Sequence, residues 1–91
     1  MPFEEIDPSK PATFKQIWAV AYKFAESING DYPDIPENKL VLLIRGTIYY
    51  YHQDAGTPLS HGEVQEFLAN HKRIPEYYIE HLNNYLRSSQ Q

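Results

Sequence analysis

Leu40-Val41-Leu42-Leu43-Ile44-Arg45-Gly46-Thr47-Ile48-Tyr49-Tyr50-Tyr51-His52 is the stretch on which the fold turns. Its two halves are rich in strand-favouring residues, and Gly46 sits between them. A β-hairpin over residues 40–52, turning at Gly46-Thr47, would give an α+β fold. Helical spacing reads the same letters differently. Leu40, Leu43, Ile44, Thr47, Ile48 and Tyr51 then share one face, with Asn38, Arg45, Tyr49, His52 and Gln53 opposite. A lone hairpin needs a third strand to persist, and no other segment reads as one. The helix is therefore the preferred reading. It leaves Gly46 inside a helix, at a cost of about 1 kcal/mol relative to Ala. Close approach of a bulky neighbour such as Trp18 is the expected compensation.

Capping signals define this helix and its neighbours. Asp34-Ile35-Pro36-Glu37 has the spacing of a capping box, with Pro36 in the first turn, and sets a helix over 35–53. Upstream, Thr13-Phe14-Lys15-Gln16 is a second box, opening a helix over 13–29 that stops at Asn29-Gly30. Ile17, Ala21, Phe24 and Ile28 form its inner stripe. Phe14, Trp18, Val20, Tyr22 and Ala25 widen the apolar side, while Lys15, Gln16, Lys23, Glu26 and Ser27 fill the rest. So broad an apolar surface predicts a helix at the centre of its bundle or at a homodimer interface.

Downstream, Ala55-Gly56-Thr57-Pro58 is a break. Ser60-His61-Gly62-Glu63 is a third box, with Leu59 and Val64 as hydrophobic staple, for a helix over 60–70. Val64, Phe67 and Leu68 face inward. After His71-Lys72-Arg73, a fourth helix over 74–88 carries Pro75 in its first turn and an inward stripe of Tyr78, Ile79, Leu82, Tyr85 and Leu86. Glu76 and Glu80 near its start and Arg87 near its end suit the helix dipole. Residues 1–12, with Pro2, Pro8 and Pro11, read as an irregular arm that packs through Phe3 and Ile6. Residues 89–91 read as a frayed tail. The expectation is one all-α domain of four helices over 13–88.

Composition narrows the function classes. The 91 residues suffice for one domain, and the absence of cysteine removes disulfide and thiolate chemistry. Eight basic residues against twelve acidic ones, for a net charge of −4, disfavour general nucleic-acid binding. The longest aliphatic run, residues 40–44, is far short of the roughly 20 residues of a membrane span. The acidic start Met1-Pro2-Phe3-Glu4-Glu5 is no signal peptide, so a cytoplasmic location is expected.

No motif asks for a cofactor. His52, His61, His71 and His81 lack the i, i+4 spacing of helical metal ligands, so no metal site is expected. Ser60 is spent as a cap and lacks the setting of a nucleophile elbow. The glycines are scattered, so no loop cradles phosphate. These readings point away from an enzyme.

Two surfaces remain. Aromatic residues make up 14% of the chain, with eight tyrosines among them. Tyr49 and Tyr50 near Arg45, with Tyr77 on the fourth helix, form a candidate partner-binding set of the kind protein interfaces favour. The rival is a helix-turn-helix-like nucleic-acid site using Lys72, Arg73 and Arg87. Glu76 and Glu80 oppose it, because they would meet phosphates with the wrong sign.

The opening Pro11-Ala12-Thr13-Phe14-Lys15-Gln16, the break at Gly56, and Pro58-Leu59-Ser60-His61-Gly62-Glu63-Val64-Gln65-Glu66-Phe67-Leu68 resemble small helical modules of phage and mobile-element accessory proteins. That resemblance implies a stand-alone acidic protein acting by stoichiometric binding, as anti-CRISPR inhibitors of host defence nuclease complexes do. It would place the protein in the host cytoplasm, and it transfers no site residue.

Overall fold

In a computed structural model the described residues are 8–89, and four α-helices account for their regular structure. They are α1 (Phe14–Ile28), α2 (Glu37–Ala55), α3 (His61–Asn70) and α4 (Glu76–Ser89), with a 3-10 turn Asn29–Asp31 after α1. The stretch 40–52 lies wholly within α2, so the hairpin is excluded.

The capping boxes at Thr13 and Ser60 form in both directions. Thr13 Oγ1 accepts from the Gln16 N–H, and the Gln16 side chain accepts from the Thr13 N–H at 2.8 Å. Ser60 and Glu63 make the same reciprocal pair. The third box does not form. Pro36 is the N-cap of α2 and supplies no side-chain cap, and the Lys39 N–H of the first turn donates instead to Asn38 Oδ1 at 3.0 Å. A residue preceding proline is pushed out of helical conformation, so Ile35 cannot be helical and Asp34 lies too far upstream. Tyr32 to Ile35 close instead as a turn, with the Ile35 N–H donating to the Tyr32 carbonyl at 3.1 Å. At its other end α2 runs on to Ala55, where Gly56 takes the left-handed conformation (φ 74°).

α1 packs against α2 and α3, and α2 also against α4. Val20, Ala21, Phe24, Ala25 and Ile28 of α1 meet Leu40, Val41, Ile44 and Ile48 of α2 in a continuous core with Leu59, Val64, Phe67, Ile74, Tyr78 and Leu82. Phe24, Phe67 and Tyr78 join three helices through ring contacts of 5.5–6.2 Å. α1 and α2 thus each pack against two other helices, while Phe14 and Tyr22 on the broad apolar side of α1 remain exposed. Leu68 and Tyr85, expected inward, are exposed.

The part of the arm in the described residues is docked rather than loose. Ala12 N–H donates to the Leu59 carbonyl at 2.7 Å, and the His61 and Gly62 N–H groups donate to Lys10 and Pro8 carbonyls at 2.9 and 3.0 Å. The start of α3 thereby satisfies donors that a helix leaves open. The expected packing of Phe3 and Ile6 lies outside the described residues, as do Gln90 and Gln91 of the expected frayed tail. No helix among the described residues is long and apolar enough to cross a membrane.

Candidate functional site

The outer surface of α2 carries the densest set of exposed apolar side chains. Helical phase dictates this: with Ile44 and Ile48 buried, Leu42, Gly46, Tyr49 and Tyr50 point outward. Tyr49 and Tyr50 contact each other edge to face with centroids 5.3 Å apart. Arg45 lies at the flank toward α1. Its guanidinium carbon sits 5.0 Å from the Trp18 ring centroid and 5.5 Å from that of Phe14. Phe14 and Trp18 are themselves edge to face at 5.9 Å. Stacking on two rings holds the cation in one place.

Arg45 pairs with no carboxylate among the described residues, and its buried Nε has no hydrogen-bond partner there. Arg73, by contrast, is ion-paired with Asp31. Phe14, Arg45, Gly46, Tyr49 and Tyr50 line one shallow groove. A second lies on the other side of Gly46, between Leu42, Tyr50, Asp54 and Tyr85. Gly46 belongs to both, and a Cβ placed on it would meet nothing within 4 Å. The close approach of Trp18 expected at this glycine therefore does not occur.

The structure brings together Arg45, Tyr49 and Tyr50 from the sequence-derived set. It leaves Tyr77 outside their grooves. That ring stacks on Tyr51 at 4.9 Å and meets Tyr78 at 4.6 Å, with Glu63 and Glu66 near enough to disfavour its ionised form. Burial is the larger reason that its phenol is raised above the ordinary value.

Lys72, Arg73 and Arg87 are not gathered into one patch. Lys72 borders Tyr22, Lys23 and Glu26, whereas Arg87 lies in the last turn of α4, about 16 Å along the helix from its first residue. Lys23, next to Lys72, donates to the Leu68 carbonyl.

Sequence reasoning missed Phe14, Trp18, Leu42 and Tyr85 as members of the outer face. It also placed His52 outside, although His52 turns inward to the Tyr78 hydroxyl at 2.6 Å. The available signal was the i, i+4 relation of His52 to the buried Ile48. The four histidines remain dispersed, and no three potential metal ligands converge among the described residues.

No family model matches the chain, and neither does any curated protein sequence or solved structure.

Proposed function

We propose that the protein is a non-enzymatic protein-binding domain whose docking face is the outer surface of α2 with its α1 flank. The observation that carries this is Arg45: a cation stacked on Phe14 and Trp18, unpaired with any described carboxylate, and framed by exposed Tyr49 and Tyr50. Fixing the guanidinium before binding lowers the entropy cost of using it, and Arg with Tyr is the usual composition of interface hot spots. The reading extends to stoichiometric inhibition of a host defence nuclease complex, in the manner of phage-encoded antagonists. In that setting the protein acts by occupying a surface, without turnover.

The test is affinity capture from host lysate with a tagged chain, run beside Arg45→Glu and Tyr49→Ala variants of unchanged circular dichroism. A partner retained by the wild type, lost by both variants and titrating to a fixed stoichiometry supports the reading. Equal retention by all three chains overturns this face.

A further inference from the structure

We infer that the outer face of α2 docks a second copy of this chain, in an antiparallel pair whose two-fold axis passes beside Gly46. The inference rests on the reading of this surface as a protein-docking face and names one occupant for it.

Three observations support a second copy. The first is space. Gly46, half-buried, lies at the middle of the exposed stripe, and a Cβ placed on it would meet nothing within 4 Å. A facing helix can therefore approach α2 closely at that point.

The second is self-complementarity. At about 100° and 1.5 Å per residue, Leu42 and Leu43 lie on one side of Gly46 along the axis, and Tyr49 and Tyr50 on the other. An antiparallel two-fold at Gly46 sets exposed Leu42 against Tyr49 of the second copy, and the outer edge of Leu43, which is otherwise packed on its own core, against its Tyr50. The same operation sets exposed Lys39, about 10 Å before Gly46, against exposed Asp54, about 12 Å after it. The symmetry makes this ion pair twice. An isologous contact needs such a match between the two halves of one patch.

The third is area. Leu42, Tyr49, Tyr50 and Tyr85 each leave 49–57% of their surface exposed, and Phe14 leaves 65%. At roughly 200 Å² for a whole aromatic side chain, these five offer on the order of 500 Å² per copy. Doubling gives about 1,000 Å², the size at which specific interfaces begin. The pair is accordingly a weak one, and a partner that takes the same face displaces the second copy.

The experiment is sedimentation equilibrium of the full chain from about 10 μM to about 1 mM. The expected result is a rise from the 10.7 kDa monomer toward twice that mass. Lys39→Asp and Asp54→Lys each set like charges opposite one another at both ends, and each weakens association about fivefold. The double swap restores the pairing, and affinity returns to within about twofold of wild type. Gly46→Lys places a long side chain where the second helix must pass. Its Cβ meets nothing in the single chain, so the fold persists, as circular dichroism verifies, while the dimer is lost.

A wild-type chain that stays monomeric at about 1 mM overturns the inference. So does a Gly46→Lys chain that dimerises like wild type, or a double swap as weak as the single reversals. None of these outcomes affects the capture experiment with Arg45→Glu and Tyr49→Ala, which tests the docking face itself.

Discussion

His52 Nε2 accepts a hydrogen bond from the Tyr78 hydroxyl across the α2–α4 contact, with nitrogen and oxygen 2.6 Å apart. The other ring nitrogen fixes this direction. Nδ1 lies 2.8 Å from the Thr57 carbonyl, which only accepts, so Nδ1 carries the proton of the neutral imidazole and Nε2 is left as acceptor. The chain Tyr78–His52–Thr57 thus ties α4 to α2 and to the loop that follows α2. Tyr78→Phe keeps the ring in the core and removes the hydroxyl that bonds His52 and also contacts the Tyr77 hydroxyl, at an expected cost of about 1 kcal/mol for the His52 bond. In a domain of this size that lowers Tm by roughly 4–8 °C. Thermal melts of Tyr78→Phe, His52→Ala and the double variant check it. The two single effects must add to more than the double effect, because both remove the same bond.

The same hydroxyl governs behaviour at high pH. Burial is the main cause that pushes the Tyr78 phenol well above its ordinary 10.0, and the neighbouring Tyr77 adds to it. A phenol that holds its proton more tightly when folded contributes stability that is complete below the unfolded value and is lost as pH climbs beyond it. Above pH 10 the loss approaches about 1.4 kcal/mol per pH unit for each such group. Tyr77 and Tyr32 shift in the same direction, also chiefly by burial. Urea melts at pH 9 and pH 11 are expected to show a fall in wild-type stability that is clearly smaller in Tyr78→Phe. Parallel falls in both proteins would assign the alkaline transition to other groups.

The helical core was legible in the sequence because it rests on periodicity and on short-range chemistry. Leu40, Ile44 and Ile48 repeat at helical spacing, and the Thr13 and Ser60 boxes close within one turn. The docking face was legible only in part. Tyr49 and Tyr50 follow from the phase of α2, but Phe14 and Trp18 come from another helix. Their position over Arg45 depends on how α1 crosses α2, which no local spacing encodes. Tyr77 was assigned to the same set on residue type and outward phase alone, and tertiary packing sends it to Tyr51 instead. His52 shows the same limit from the opposite side: its polarity suggests solvent, while a hydroxyl on a distant helix draws it inward.

The three cap positions separate by the same logic. Ser60→Ala removes a hydroxyl that accepts from the Glu63 N–H at 3.2 Å, with an expected loss of about 1 kcal/mol. Asp34→Ala removes a side chain that caps nothing, because α2 starts at Glu37 behind Pro36. Its effect should stay within about 0.5 kcal/mol, as for ordinary surface changes. Chemical denaturation of both variants distinguishes the cases, and a large loss at Asp34 would show that the box forms in solution after all.

Gly46 gives the most direct link between stability and surface. It sits in the interior of a nineteen-residue helix, where glycine costs about 1 kcal/mol relative to alanine, partly through the extra freedom it gives the unfolded chain. No neighbour requires its lack of a side chain, since an added Cβ meets open space and φ is not in the left-handed region. Gly46→Ala is therefore expected to stabilise the dilute, monomeric protein by about 1 kcal/mol and to raise Tm by roughly 4–8 °C. The melt is run at a few micromolar protein, where self-association contributes little to Tm. A chain destabilised by this substitution would mean that the space above Gly46 is filled in the folded monomer, which removes the basis for approach of a second helix there. A stabilised chain shows that the fold gains nothing from glycine at this position, leaving the surface above it as the feature that glycine keeps open.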